Sequence, residues 1–357
     1  MSTSRILSRS IIVACALLAG YAATLVGIPL AWILGPMLVS AIAALSGAGL
    51  AESRLMRQGA QVIVGTAVGH GVTAGVLVSL LWRLPWMVLF ALWSLLVAAV
   101  CSLLLERWAR LDRRTALLAN LPGGVAEMAF LGGDTKGAST AISLIQAMRV
   151  TSLVILLPFL LALILDKTGG ATGLSLGGGT FGIGTLVLLA VGYGVGWGMD
   201  RFGIQNAFIV GALLVSVVDT LTGTIDAGVP NWLFIGAQVA IGLALGSRFD
   251  REEIARMPRI LAIGLLVSLL TSVIIITTAI LIAGPLAIPM PVMTLAGAPG
   301  GIAEMMITAA TLGLSVAEIV AFQTVRIITV NFFAGPISVL WLKVSGTLIG
   351  EPRHHDL

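Results

Sequence analysis

The stretch LPGGVAEMAFLGG, Leu121 to Gly133, sets a proline, two glycines and a glutamate inside an otherwise apolar run. Near the other end of the chain APGGIAEMMITAA, Ala298 to Ala310, repeats it. Proline removes an N–H that a helix interior needs, and paired glycines loosen the backbone further. An ionised side chain at a bilayer centre costs about 2.5–3.5 kcal/mol on insertion scales. The surroundings make the bilayer the relevant solvent. The 357 residues are 58% hydrophobic and 10% charged, with mean hydropathy +1.08, against about 25% charged for a soluble domain. Apolar runs of about 20 residues recur along the chain, as membrane-spanning helices require. Irregular backbone at membrane depth is tolerated only where protein or a watery cavity surrounds it. Each Pro-Gly-Gly is therefore expected to line a cavity or to be packed by protein.

The repetition extends beyond this motif. GAQVIVGTAVG (Gly59 to Gly69) returns as GAQVAIGLALG (Gly236 to Gly246), and QAMR (Gln146 to Arg149) as QTVR (Gln323 to Arg326). Both recur at the offset that separates Pro122 from Pro299. GIPLAWILG (Gly27 to Gly35) returns as GIQNAFIVG (Gly203 to Gly211), at an offset shorter by a single position. Chance similarity between apolar runs would not hold one register over such a length. The chain reads as a duplication: repeat 1 over 1–166, a Gly-rich linker over 167–181 and repeat 2 over 182–357, each with six apolar elements. The opening segment, RILSRSIIVACALLAGYAA, has the outline of a signal peptide. Its counterpart in the second half favours a membrane element instead.

Positive charge sets orientation. In the first half the loop after the fourth element holds Arg107, Arg110, Arg113 and Arg114; in the second, the loop after the third holds Arg248, Arg251, Arg256 and Arg259. If the fifth element of each half enters and leaves on one side, only Arg83 and Lys167 fall outside. The expected fold is an all-α polytopic membrane protein of two inverted-topology repeats. Each would have about five transmembrane helices plus one re-entrant or broken element, and both termini would be cytoplasmic. The element beginning at Gly27 is the rival for the one that does not cross. Inverted repeats with broken elements meeting at the midplane are the architecture of many secondary transporters.

The polar residues within the apolar runs are the candidate site. Proline suits a first helical turn, so Pro122, Gly123 and Gly124, and Pro299, Gly300 and Gly301, can each start a short helix whose free N–H groups face an anion. Glu127 and Glu304 need something to offset their burial. Arg149 and Arg326, each at the same interval after its glutamate, are the expected partners, with Gln146 and Gln323 on the same helix faces. Two readings stay open: a structural Glu–Arg pair or a glutamate capping its own helix, and a site in which the arginines bind an anionic substrate while the glutamates take a coupling proton or sodium ion. Gln61 and Gln238 sit on Gly-rich helices suited to close packing. Asp219, Glu318 and His70 have no polar twin in the other half.

No His/Cys/carboxylate cluster has metal-ligand spacing, no nucleophile motif or phosphate loop appears, and no cofactor is expected. Cys15 and Cys101 lie in apolar runs and imply no disulfide framework. The net charge of +4 comes from short loops, where cytoplasmic anchoring accounts for it, so nucleic acid is not an expected partner. The expected partners are the lipid bilayer and a small solute, with a homo-oligomer left open.

LPGGVAEM, APGGIAEMMITA, the Q..R that follows each and the paired GAQ helices resemble the bacterial AbrB-type membrane protein family, over nearly the whole chain. That family is built from two copies of one membrane module, and the resemblance implies a bacterial inner-membrane location. Its members are often labelled ammonia monooxygenase or regulator of gene expression. The missing metal ligands speak against an oxygenase, and charged loops of about a dozen residues are too short for a DNA-reading domain. The layout of five crossings and one re-entrant segment per half also looks like that of the citrate and glutamate sodium symporters. The function expected is secondary transport of a small solute, first an organic anion, with a membrane sensor or regulator as the alternative.

Overall fold

In the computed structural model the described residues are 3–48, 53–72, 74–132, 136–168, 181–225 and 227–349, and helices dominate them. The first half runs α1 (Thr3–Leu25), α2 (Ala31–Leu45), α3 (Arg54–Gly69), α4 (Ala74–Ala109), α5 (Arg113–Asn120), α6 (Val125–Leu131) and α7 (Lys136–Thr168). The second runs α8 (Ile183–Arg201), α9 (Ala207–Thr222), α10 (Asn231–Gly246), α11 (Arg251–Arg256), α12 (Pro258–Ala283), α13 (Met290–Gly297), α14 (Ile302–Thr311) and α15 (Val316–Ile349). Apart from α11, a short charged helix capped by Asp250, the second list repeats the first. Of the Gly-rich linker, residues 169–180 lie outside the described residues.

Among the described residues six helical spans are long and apolar enough to cross a membrane, where the sequence reading counts ten crossings. The difference lies in α1, whose apolar stretch is counted over Arg9–Leu25 only, and in the short helices α2, α3 and α9. With 15 and 16 residues, α2 and α9 are about 22–24 Å long, below the roughly 30 Å of a hydrocarbon core. Helix α3 opens on Arg54, Arg57 and Gln58. The chain enters α2 and α9 through matched kinks. Gly27 and Gly203 have φ of 75° and 72°, and Leu30 and Asn206 take φ of 54° and 53° at the two helix starts. A left-handed leucine is uncommon; its recurrence at the equivalent position makes it part of the module.

Packing follows the duplication. Helix α3 lies on α9, and α10 lies on α2. A side chain at Gly65 would strike the Ile209 carbonyl, and one at Gly242 would strike that of Ile33. One turn on, Gly69 meets Ser216 and Gly246 meets Ser40. These contacts are equivalent in the two halves, and they explain the GAQ…G…G pattern as a close-approach surface.

Helices α4 and α12, equivalent in the two halves, run in opposite directions. Arg83, near the start of α4, donates to the Ala287 carbonyl just past α12, at 3.4 Å. Arg259, at the start of α12, donates to the Trp108 carbonyl at the end of α4, also at 3.4 Å. Arg83 also lies 3.7 Å from Glu318, at the start of α15. The chain thus leaves this end of α4 before α13 and is back at it after α14.

Candidate functional site

Helix α5 ends at Asn120 and α6 begins at Val125; α13 ends at Gly297 and α14 begins at Ile302. Gly124 (φ −74°, ψ 135°) and Gly301 (φ −78°, ψ 142°) are ordinary extended residues at the two helix starts. Conformational freedom is not what requires glycine here, contrary to the loosening expected from sequence. Space is. A Cβ on Gly123 would lie 2.7 Å from the Met128 methyl, and one on Gly300 would lie 2.8 Å from that of Met305. A Cβ on Gly124 would collide with the carboxylate of Glu127 and the amide of Gln205; one on Gly301 would collide with the carboxylate of Glu304. The motif is one interlocking unit: the first glycine seats the methionine, and the second admits the glutamate folded back over its own helix start.

The Q..R motif holds the other side of each break. Gln146 donates to the Leu118 carbonyl at 2.8 Å, and Gln323 to that of Leu295 at 2.9 Å. Arg149 donates to the carbonyls of Asn120 and Leu121 at 3.1 and 3.4 Å, and Arg326 to that of Gly297 at 2.9 Å. A helix end leaves carbonyls without intrahelical partners and carries partial negative charge; a buried guanidinium satisfies both. All four side chains are essentially buried. The expected Glu–Arg pairing is corrected here: among the described residues, neither arginine forms an ion pair with Glu127 or Glu304. The arginines serve the end of the helix that enters each break, and the glutamates the start of the helix that leaves it.

Both breaks face one cavity of about 760 Å³. Pro122 to Gly124, Glu127, Arg149, Pro299 to Gly301 and Glu304 all line it; Gln146, Gln323 and Arg326 do not. Glu127 is exposed toward it, while Glu304 is buried. Gln61 of α3 contributes to the wall, whereas Gln238 is buried and is absent from the lining. The rim carries Arg54, paired to Asp200 at 2.8 Å, with Arg57 at the start of α3, Arg248 after α10 and Glu253 on α11. Four arginines thus meet four carboxylates around the lining.

Gln205 and the rim charges were missed from sequence. A signal for Gln205 was available, because GIQN departs from GIPL at this position. Where the first half has Pro29, the second puts an amide whose nitrogen and oxygen are both buried without a partner. The rim charges sit at helix ends, where a sequence gives no hint that four termini converge. His70, Asp219 and Glu318 lie away from this cavity's lining. Asp134 and the tail histidines, His354 and His355, lie outside the described residues. No group of three His, Cys, Asp or Glu that could hold a metal occurs among the described residues.

Similar proteins match this chain over most of their length. Protein YhjN of Bacillus subtilis (strain 168) is 26% identical over 335 residues, covering 87% of this chain and 87% of its own. A protein of Escherichia coli (strain K12) whose name reads "Putative regulator AbrB" is 26% identical over 314 residues, covering 87% of this chain and 89% of its own. The family model described as transition state regulatory protein AbrB matches residues 32–342, which include both breaks and both Q..R brackets. The chain belongs to the AbrB family.

Proposed function

We propose that this protein is a secondary transporter of a small solute, driven by an ion gradient, in a bacterial inner membrane. One observation carries the reading: two equivalent broken segments, one from each half, line a single cavity with their glutamates. The halves are inverted repeats, as the opposite directions of α4 and α12 support. The fifth element of each half is a re-entrant pair, α5–α6 and α13–α14. Arg83, which touches the chain before α13 and after α14, supports this. The cavity mouth lies at the face of Arg54 and Arg248, which the positive-inside bias makes cytoplasmic, together with both termini. Organic anions are the first class to test, because Arg149 presents a buried Nε without a partner beside the cavity. Glu127 and Glu304 take the coupling ion. The protein acts on the solute without chemical conversion and does not bind nucleic acid.

The test is uptake in proteoliposomes, after a thermal-shift screen of small carboxylates, amines and amino acids has found a stabilising ligand. Glu127→Gln and Glu304→Gln are each expected to abolish gradient-driven accumulation while the protein still inserts. Unchanged accumulation in both variants sinks the coupling role. A second reading, a membrane sensor or regulator, is favoured by the regulator name of the Escherichia coli relative. A ligand that raises the unfolding temperature but is never accumulated selects it.

A further inference from the structure

We propose that His70 and Asp219 hold one exchangeable proton between them, at a site separate from the cavity and present in one half only. His70 follows α3 and Asp219 lies in the last turn of α9. The His70 Nδ1 atom lies 2.8 Å from the Thr66 carbonyl. A carbonyl can only accept, so Nδ1 carries a hydrogen. Ser216 Oγ, 2.9 Å from Nδ1, donates to the same carbonyl at 2.8 Å. With Nδ1 as the donor, Nε2 is the nitrogen left to accept a proton. Nε2 is buried, without a hydrogen-bond partner, 3.7 Å from Asp219 Oδ2. The Asp219 side chain is 6% exposed, and its other oxygen accepts the Ile225 N–H at 2.7 Å. With Nε2 bare, a lone pair faces a carboxylate. One proton taken from water converts that repulsion into an imidazolium–carboxylate attraction across the α3–α9 contact.

The other half is an internal control. Ser40 donates to the Leu243 carbonyl at 2.8 Å, the equivalent of Ser216 to Thr66. There Ser247 stands where the first pair has His70, and Ala43 where it has Asp219. The α2–α10 contact packs through the same glycine and serine without either titratable group. Packing of the α3–α9 pair therefore does not require them. Around the site, α15 brings Glu318, which is already held by Arg83 of α4 and by Ser315. The loop after α9 brings the Ile225 amide, and Asp226 lies outside the described residues. Helices α3 and α9 carry Arg54, Gln58, Gln61, Ala207 and Phe208 at their opposite ends, all on the cavity wall. A proton bound at one end thus clasps two helices whose other ends shape the cavity.

The test needs no substrate and no transport. The full-length protein is labelled with ¹⁵N-histidine and titrated with protons alone in detergent. His70→Gln identifies the His70 signal among the three histidines. As the pH is raised, the signal is expected to pass from the imidazolium form to the neutral Nδ1–H form. Asp219→Asn, which removes the carboxylate facing Nε2, is expected to move that change to lower pH. The double variant His70→Ser/Asp219→Ala, which copies the other half, is expected to fold and to lose the pH-dependent step in unfolding temperature that wild type shows. A fixed His70 protonation state, an Nε2–H neutral form, a midpoint unmoved by Asp219→Asn, or a double variant less stable by the same amount at every pH would each overturn the proposal.

Discussion

At the scale of single residues, the glycines of the two breaks are sized rather than shaped for their positions. Gly301 sits against the carboxylate of a buried glutamate, so an added methyl group forces that carboxylate out of its place. Overpacking of this kind costs about 1–3 kcal/mol. Gly301→Ala is expected to lower the unfolding midpoint accordingly, and Glu304→Ala added to it to recover most of the loss. At Gly124 the added methyl group meets the Gln205 amide as well as Glu127, so Gly124→Ala is expected to be destabilising too, and removing Glu127 alone is not expected to rescue it. Denaturation of the purified variants in detergent checks both; no rescue of Gly301→Ala by Glu304→Ala, or full rescue of Gly124→Ala by Glu127→Ala, refutes this account. The motif's existence was legible in sequence because it occurs twice. Its internal logic was not, since Met128 and Met305 look like any core methionine until the fold brings their methyl groups over Gly123 and Gly300.

At the scale of elements, each break is held from two sides. Behind it, the buried Gln and Arg of the following long helix bind carbonyls at the end of the entering helix. Ahead of it, the glutamate folds over the start of the next short helix. The sequence put these residues on the right elements and the right faces, because Gln146 and Arg149 are three apart on one helix. It could not say that the arginine would reach backbone rather than carboxylate. The interval from Glu304 to Arg326 crosses the turn between α14 and α15, whose geometry is tertiary. The two accounts differ in energetics. An arginine paired to a glutamate in a poorly solvated site would show strong coupling in a double-mutant cycle. Two groups on opposite sides of the break, without a shared partner, should add to within about 0.5 kcal/mol. For Arg326→Met and Glu304→Gln, the structure predicts additivity in unfolding free energy. Arg326→Met alone is the costly change, because it strips the Gly297 carbonyl of its donor; an unsatisfied buried group costs about 1–3 kcal/mol. A coupling energy above about 1 kcal/mol, beyond what independent sites show, would restore the direct pair.

At the scale of the whole molecule, the duplication and the charge bias were readable because both are one-dimensional signals. The matched kinks at Leu30 and Asn206 and the exchange of partners, α3 on α9 and α10 on α2, needed the fold. So did the count of long apolar helices, since α2 and α9 lie in apolar runs that read longer than the helices themselves. The arrangement makes a two-sided prediction. Arg54 and Arg248 sit at the cavity rim, at the start of α3 and just past the end of α10; Arg83 and Ala287 meet at the other end of the molecule. With Cys15 and Cys101 replaced by serine, single cysteines at 54 and 248 should react with a membrane-impermeant maleimide in inside-out vesicles. Cysteines at 83 and 287 should react only in vesicles of the opposite orientation. Equivalent helices running the same way would instead put 54 and 248 on different sides. The same labels report on the cavity. On the proposed transport reading, a stabilising ligand that closes the mouth should slow labelling at 54 and 248 and leave the start of α4 more reactive, because a transporter's cavity opens to one side at a time; unchanged labelling at all four positions would count against it.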